Sequence, residues 1–317
     1  MSPVNTKKIL VILGPTASGK TDLALKLAKK FNGYIISADS RQVYKDLNIG
    51  TAKPVGKILN YKLGVNKIVT AYIVKGVPHF LMDYVKPNQS FTLADWLKIT
   101  KKLLHSQILN SKFQIPIICG GTGLYISALV NNYSLPEGKI DLILRKNLEQ
   151  STLTVLLKKL KKIDPDTYQT IDKKNKRKII RALEYTLTNK LSFTNQSKKQ
   201  SSTYDFLQIG VNLKRETLYH TINTRVEQMI QNGLIPETKS LIKKYNSDLP
   251  ALSSIGYKQI KEFLNGNLTK EQTMDLIKRD TRHYAKRQLT WFKRDKNIQW
   301  IDNYKEAEKI VHTFLQK

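Results

Sequence analysis

The sequence contains a single cysteine, Cys119, among its 317 residues. One cysteine excludes an internal disulfide bond and a zinc site built from several cysteines. Such sparse cysteine usage fits a reducing compartment, and we expect a cytoplasmic protein.

Long apolar runs are also missing from the sequence. No stretch reaches about 18 apolar residues, the length that a membrane-spanning helix needs. The first eight residues lack the apolar segment of a signal peptide. We therefore expect no membrane-spanning segment and no membrane partner.

Acidic residues are scarce relative to basic ones. The chain has 25 Asp and Glu residues against 54 Lys and Arg residues, a formal net charge of +29. Such an excess indicates a polyanionic partner, with nucleic acid the first candidate and an anionic membrane surface the second. The alternative is a Lys-rich surface that only faces water. Apolar residues make up 40% of the chain, which is enough for a buried core.

A phosphate-binding loop stands near the beginning of the chain. Residues 9–13 form an apolar run typical of a strand, and residues 22–30 have apolar side chains at helical spacing. The segment between them fits the pattern G-x-x-x-x-G-K-[ST] at every fixed position. Its glycines allow a tight turn of N–H groups, and the next helix adds its positive dipole end. We expect it to bind a diphosphate or polyphosphate through Gly14, Pro15, Thr16, Ala17, Ser18, Gly19, Lys20 and Thr21.

Two side chains of this loop have distinct expected roles. Lys20 would bridge the terminal phosphate oxygens. The hydroxyl of Thr21 would be a ligand of Mg²⁺, which is the cofactor that we expect.

Strand patterns recur along the chain at residues 34–39, 77–83, 115–119 and 206–213, with a helical pattern at 92–110. This alternation predicts an α/β fold, a parallel sheet flanked by helices as in phosphate-loop NTPases. The C-terminal part is predicted to be helical at 216–232, 235–244 and 269–293. Ligands of such sheets lie at the carboxyl ends of strands. The phosphate loop, Asp39 and the glycine-rich segment 120–123 all follow strands, so we expect them to share one site.

The composition changes between residues 131 and 205, where the chain is rich in Lys and Leu at helical spacing. We predict a helical, basic insertion there, set into a catalytic core of residues 1–130 and 206–317. Its densest cluster, residues 173–181, has six basic residues and no acidic one. The polar stretch 195–202 predicts a loop.

A second basic cluster lies at residues 278–296, with eight basic residues against two acidic ones. Tyr284, Trp291 and Phe292 are interleaved with these charges. Basic side chains with flat rings between them suit RNA, whose unpaired bases can stack on aromatic rings. The alternative is an amphipathic helix with ordinary core aromatics.

Several segments taken together resemble one family, the bacterial type of tRNA dimethylallyltransferase (tRNA isopentenyltransferase). Residues 14–21, 38–44, 49–54 and 120–125 carry the resemblance. Further matches follow in the family's order, so that nearly the whole chain is covered, at 77–83, 177–184, 255–258 and 284–292.

The resemblance implies a prenyl transfer to tRNA. A dimethylallyl group would move from dimethylallyl diphosphate to N6 of an adenosine, and diphosphate would leave with Mg²⁺ as the expected metal. The adenosine is at position 37, 3′ to the anticodon, in tRNAs that read codons starting with U. The implied partners are the prenyl diphosphate and the tRNA anticodon stem-loop, and we expect a monomer.

The resemblance also implies roles for single residues. Asp39 matches the family's general base, which the reaction needs because an adenine amine is a poor nucleophile. Thr122 matches a residue that hydrogen-bonds near the amine, and Arg225 matches an arginine that contacts the diphosphate. The target base must leave the anticodon loop to enter the site, where it would meet Asp39, Ser40, Arg41 and Gln42. Further tRNA contacts are expected at Lys176, Arg177, Lys178, Arg181, Tyr257, Lys258, Lys286, Arg287, Gln288 and Trp291.

The chain departs from the family pattern at two places. Phe80 follows His79 where the family often has a second histidine, so we assign no catalytic role to His79. Residues 171–175 lack the family's usual turn, which leaves the detailed tRNA contacts of the insertion open.

Three other functions remain possible on the residues alone. A relative that prenylates free AMP would have a similar site without needing the two basic clusters. A small-molecule kinase would carry a carboxylate after the strand that ends at Cys119, where this chain has glycines. A non-catalytic RNA-binding protein would not need Lys20, Thr21, Asp39 and Thr122.

Overall fold

The structure is a computed structural model, and it describes residues 6–62, 68–106, 112–133, 141–194, 203–245 and 249–316. The chain divides into two compact units: Met1–Ile126 with Thr203–Lys317, which we call the core unit, and Ser127–Ser202, the insertion unit. The boundaries predicted from the sequence lie a few residues further along the chain at both junctions. The predicted loop at residues 195–202 lies outside the described residues.

One eight-stranded sheet runs through the core unit in the order β3-β4-β5-β2-β6-β1-β7-β8. In the part of this order that runs β5-β2-β6-β1-β7-β8, all neighbouring strands are parallel. Strand β4 is antiparallel to both β3 and β5. The strands are β1 (Lys7–Leu13), β2 (Gly33–Ser37), β3 (Lys57–Lys62), β4 (Ile68–Val74), β5 (Val77–Phe80), β6 (Ile115–Gly120), β7 (Tyr204–Val211) and β8 (Gln299–Ile301).

The helices follow the apolar periodicity of the sequence. In chain order they are α1 (Lys20–Lys30), α2 (Leu93–Leu104), α3 (Gly123–Val130), α4 (Leu142–Gln150), α5 (Leu153–Ile163), α6 (Pro165–Thr170), α7 (Lys176–Asn189), α8 (Arg215–Gln231), α9 (Leu234–Tyr245), α10 (Tyr257–Leu264), α11 (Lys270–Phe292) and α12 (Tyr304–Gln316). A helix packs only when its apolar residues share one face. In α1 the buried residues Leu23, Leu27 and Ala28 do so, and they join Ile117 of β6 and Val311 of α12 in one core cluster.

A second core cluster lies beside the sheet. Tyr44 and Leu47, from the irregular segment after β2, pack with Val226 of α8, Tyr257 of α10 and Ile277 of α11. The four C-terminal helices α8 to α11 thereby hold the chain that follows Asp39.

The insertion unit contains α4 to α7 around its own apolar core, which includes Leu156, Leu160 and Leu183. Glu184 is fully buried there, and its Oε2 accepts hydrogen bonds from Arg145 at 2.6 Å and Arg181 at 3.2 Å. Two guanidinium groups on one carboxylate offset the cost of burying its charge.

No helix in the described ranges is both long and apolar enough to cross a membrane. The parallel strands β1, β2 and β6 end at the same edge of the sheet, since β1 pairs with β6 and β6 with β2. The segments that follow these strands are therefore neighbours.

Candidate active site

The phosphate loop joins β1 to α1 in the predicted manner. Gly14, Ala17 and Gly19 have φ angles of 155°, 65° and 83°, which L side chains rarely adopt. A Cβ on Gly14 would lie 2.9 Å from Ser18 Oγ, so the close turn requires glycine at this position. Gly19 is the N-cap of α1 and has no capping side chain, which leaves the first N–H groups of the helix to an anion.

Lys20 lies within this loop, and its Nζ donates a hydrogen bond to the carbonyl of Pro15 at 3.1 Å. Burial lowers the pKa of Lys20, the positive charge of Arg225 adds to this, and the carboxylate of Asp39 opposes it. A bound anion favours the charged ammonium. Lys20 is therefore a cation that a diphosphate would stabilise.

Asp39 follows β2 and closes a tight turn with its own side chain. Its Oδ1 accepts the N–H groups of Arg41 at 2.8 Å and Gln42 at 3.1 Å. Among the described residues, its Oδ2 has no hydrogen-bond donor, and Asp39 lines the cavity described below. One oxygen thus fixes the carboxylate while the other can accept a proton.

Thr122 lies beside Asp39 because two strand ends are joined by hydrogen bonds. The N–H of Thr122 donates to Ala38 O at 3.1 Å, and its Oγ1 accepts the N–H of Ser40 at 3.1 Å. A Cβ on Gly120 would lie 2.2 Å from Ala38 O, so only glycine permits this approach. Since the hydroxyl of Thr122 accepts from Ser40, its own proton can be donated to a ligand.

A cavity of about 220 Å³ brings these elements together. It is lined from the phosphate loop and α1 by Lys20 and Asp22, from the segment after β2 by Asp39, from β6 by Cys119 and from α8 by Arg225. Burial also lowers the pKa of Arg225, against the attraction of Asp22. The phosphate loop, Asp39 and Arg225, which the sequence analysis assigned to one site, thus line the same cavity.

Helix α11 supplies a part of the cavity that the sequence interpretation missed. Tyr284 lines it, and burial together with the charge of Asp39 raises its pKa to about 12. Gln288, one turn further along, accepts from Thr16 N–H at 2.8 Å and donates to Gly121 O at 2.8 Å. Trp291, 40% exposed, packs against Gly123. The spacing 284, 288, 291 places the three on one helix face, and this pattern could have identified Tyr284.

Two residues expected to contact tRNA are buried instead. The amide of Gln288 is bonded at both ends to loops of the site. Tyr257 is fully buried, and its hydroxyl donates to Glu237 Oε1 at 2.6 Å. The ring of Tyr257 lies inside the second core cluster rather than on the surface, so the structure shows no exposed ring for the tRNA contact that the sequence predicts.

The other residues expected to contact tRNA lie at or near the surface of their units. In the core unit, Lys286 and Arg287 are exposed on α11, and Lys258 pairs with Asp280 at 3.2 Å. Arg41 donates to Pro250 O at 2.9 Å, and Gln42 lines the cavity. In the insertion unit, Arg177 and Lys178 are exposed, Lys176 donates to Glu149 O at 2.9 Å, and Arg181 is bound to Glu184.

The side chains at the phosphate loop could hold a hard cation such as Mg²⁺ only together with oxygen atoms of a bound substrate. The described residues contain no group of three or more His, Cys, Asp or Glu side chains placed to hold a metal. Thr21 and Asp22 line the cavity and offer oxygen atoms. Mg²⁺ prefers oxygen ligands and usually binds through few protein groups plus substrate phosphates, and this donor set fits that mode.

Comparisons with known proteins agree with this arrangement. A family model described as IPP transferase matches residues 42–295, and one described as isopentenyl transferase matches residues 7–69. The chain is 41% identical to a tRNA dimethylallyltransferase of Acetivibrio thermocellus, covering 96% of this chain and 95% of that protein. It is 42% identical to the one of Carboxydothermus hydrogenoformans, covering 98% and 97%.

Solved structures give the same result. The crystal structure of a full-length tRNA isopentenylpyrophosphate transferase from Bacillus halodurans aligns with a TM-score of 0.68 at 35% identity, over 98% of this chain and 96% of that one. A eukaryotic dimethylallyltransferase described as acting on tRNA aligns with a TM-score of 0.74 at 27% identity, over 93% and 74%. The chain belongs to the tRNA dimethylallyltransferase family.

Proposed function

We propose that the chain transfers a dimethylallyl group from dimethylallyl diphosphate to N6 of adenosine 37 in tRNAs that read codons starting with U. The observation that carries the proposal is that a phosphate loop and a carboxylate meet in one cavity, and no described residue donates a hydrogen bond to the second oxygen of that carboxylate. The full-length likeness to tRNA dimethylallyltransferases supports the choice of substrates. Because tRNA is the substrate, the proposal places the protein in the cytoplasm.

The reaction exchanges one bond at the allylic carbon. The N6 nitrogen forms a bond to C1 of the dimethylallyl group, the bond from C1 to the diphosphate oxygen breaks, and N6 loses one proton. Asp39 Oδ2 takes that proton, which makes the amine a better nucleophile as the new bond forms. The hydroxyl of Thr122 donates a hydrogen bond near the amine.

The leaving diphosphate gains negative charge as the bond breaks. Lys20, Arg225 and the N–H groups of the loop are fixed around the position where this charge develops, which lowers the barrier. Thr21 would hold Mg²⁺ together with the diphosphate oxygens, and the bound ion would supply further charge neutralisation. We propose that the protein acts as a monomer.

The two basic clusters serve the tRNA. We propose that Lys176, Arg177, Lys178 and Arg181 of the insertion unit and Lys258, Lys286, Arg287 and Trp291 of the core unit contact the anticodon stem-loop. Phosphate contacts of this kind position a nucleic acid and supply much of its affinity. The three residues that follow the general base Asp39 contact the target nucleotide: Ser40, Arg41 and Gln42.

The experiment that tests the catalytic assignment compares Asp39, in the cavity, with a carboxylate outside it. Asp39→Asn keeps an oxygen that accepts from Arg41 and Gln42, but it cannot take a proton. We expect the single-turnover rate at saturating tRNA to fall about 100-fold or more, while the tRNA dissociation constant stays unchanged. The matched control is Asp275→Asn, at an exposed position of α11 outside the cavity lining, which should leave the rate near that of the wild type. Equal losses in the two variants would remove Asp39 from the role of base.

A further inference from the structure

One wall of the cavity is irregular backbone that needs outside support. Residues 48–54, which we call the wall segment, contribute Thr51, Ala52 and Pro54 to the cavity lining. The segment turns through hydrogen bonds from Ala52 N–H to Ile49 O and from Lys53 N–H to Asn48 O, both 2.9 Å. Ala52 has a φ of 50°, a conformation that costs energy for a residue with a Cβ.

The wall segment fixes a residue that follows the proposed base. The Gln42 side chain donates from Nε2 to Thr51 O at 3.0 Å and to Ala52 O at 3.3 Å. Any shift of the wall segment therefore moves Gln42, whose N–H is bonded to Asp39.

Glu237 of α9 holds the beginning of the wall segment by its backbone. Its carboxylate accepts the N–H groups of Asn48 at 3.3 Å, Ile49 at 2.9 Å and Gly50 at 3.1 Å. Three successive N–H groups that converge on one anion form a concave binding site, and here a side chain of the same protein occupies it. Hydrogen bonds to a charged acceptor are about twice as strong as neutral ones.

Tyr257 completes this contact from the first residue of α10. Its hydroxyl donates to Glu237 Oε1 at 2.6 Å, and burial beside that carboxylate raises its pKa, so it stays protonated. Its ring lies directly against Gly50, where an added Cβ would be 2.5 Å from Tyr257 Cζ. The wall segment is thus supported by the packing of the Tyr257 ring against Gly50 and by the hydrogen bonds of the Glu237 carboxylate.

The other end of the wall segment is held by a buried ion pair. Lys53 Nζ lies 2.5 Å from Asp83 Oδ1 and donates to Tyr44 O at 2.8 Å. With both ends fixed by charged contacts, the central residues Thr51 and Ala52 have little freedom to move.

We infer that Glu237 and Tyr257 are positioning residues for the transfer reaction: they hold the wall segment so that Gln42 and Thr51 orient the target nucleotide against Asp39. The inference rests on the proposed function. Most tRNA affinity comes from phosphate contacts elsewhere, whereas alignment of the reacting atoms sets the rate. Loosening the wall segment therefore lowers the rate and leaves tRNA affinity intact.

Tyr257→Phe tests the inference with the loss of one oxygen atom, since the ring against Gly50 remains. Tyr245→Phe is a matched control. The hydroxyl of Tyr245, at the end of α9, also donates to a carboxylate, Asp46 Oδ2 at 2.6 Å, but Asp46 lies before the wall segment. We expect the single-turnover rate of Tyr257→Phe at saturating substrates to fall about tenfold. The dissociation constant for tRNA should change less than about twofold, and the control should match the wild type in both.

Three outcomes would overturn the inference, and the transfer rate of Tyr257→Phe is unchanged in each. An unchanged rate in Tyr257→Phe would show that the hydroxyl does not support the reaction. A weaker tRNA affinity with an unchanged rate would show that Tyr257 contacts tRNA, as the sequence had suggested. A merely structural role would lower the melting temperature of both tyrosine variants and leave the rate of the folded enzyme unchanged.

A measurement without substrates separates this inference from the proposed function. Hydrogen exchange of peptides confined to residues 48–54 should become faster in Glu237→Gln and Tyr257→Phe, but not in Tyr245→Phe. Glu237→Gln keeps one acceptor oxygen, so its transfer rate should lie between those of the wild type and Glu237→Ala. If the wild type transfers no prenyl group, the proposed function fails. The exchange result still decides whether Glu237 and Tyr257 hold the wall segment. Unchanged exchange in both variants would show that they do not.

Discussion

A fall in pH should destabilise the protein through one buried histidine, His79 of β5. His79 is 1% exposed and lines the cavity. Its Nδ1 lies 3.0 Å from Val77 O, and because a carbonyl only accepts, Nδ1 carries the proton of the neutral ring. Burial lowers the pKa of His79 to about 4, and the bond to Val77 opposes this only partly.

The magnitude follows from the difference between the folded and unfolded states. In the unfolded chain the pKa of a histidine is about 6.5, so between about pH 6.5 and pH 4 the unfolded state binds a proton that the folded state excludes. His79 therefore does not reduce the free energy of unfolding above about pH 6.5, and it reduces it progressively as the pH falls toward 4. Between pH 7.5 and pH 5 the loss due to His79 is about 2 kcal/mol.

The assay is urea unfolding at pH 7.5 and pH 5, followed by tryptophan fluorescence. His79→Asn keeps a donor near Val77 O but cannot titrate, so it should lose about 2 kcal/mol less than the wild type over this interval. Comparing two pH values within each protein removes the constant cost of the substitution. His283→Asn, at an exposed position, should keep the pH dependence of the wild type. If His79→Asn and the wild type lose the same free energy, the folded state does not exclude the proton from His79, and the reasoning is refuted.

Three further predictions concern other charged or reactive groups. Burial raises the pKa of Cys119 to about 12. Alkylation of its thiol at pH 8, measured by the mass of the intact protein, should therefore be at least about 100-fold slower in the native protein than in urea. Similar rates would contradict this prediction. Lys53→Met leaves Asp83 without its buried partner and should lower the free energy of unfolding by about 3 kcal/mol. Adding Asp83→Leu should recover part of that loss, whereas a fully additive loss would argue against the pair. Replacing four basic residues of the insertion unit by Gln, namely Lys173, Lys174, Arg177 and Lys178, should weaken tRNA binding. It should also reduce the slope of log affinity against log salt concentration by about 3. An unchanged slope would mean that these four side chains only face water.

The sequence predicted those elements that carry a strong local pattern. The apolar run before the phosphate loop became β1, and the three C-terminal helical patterns agree with α8, α9 and α11 to within one residue at every end. The antiparallel pair β3 and β4 was missed. Ile58 and Leu59 are adjacent, yet 45% and 43% exposed, so the edge strand lacks the alternation that identifies a half-buried strand.

Contacts between distant segments could not be predicted from one sequence. Gly50 and Tyr257 belong to motifs some two hundred residues apart, and nothing in either motif shows that the ring fills the space that a Cβ would need. The same holds for Gln288, which lies in a basic helix and was assigned to tRNA, although its amide joins two loops of the site. Local motifs and the family resemblance pointed to candidate residues for the chemistry, whereas packing determines which residues hold them in place.

The most direct measurement is a transfer assay with labelled dimethylallyl diphosphate, Mg²⁺ and unmodified tRNA, run beside AMP and followed by digestion of the tRNA to nucleosides. The account predicts label in tRNA alone, as N6-dimethylallyladenosine from position 37. Label on AMP, or none on either acceptor, would contradict it.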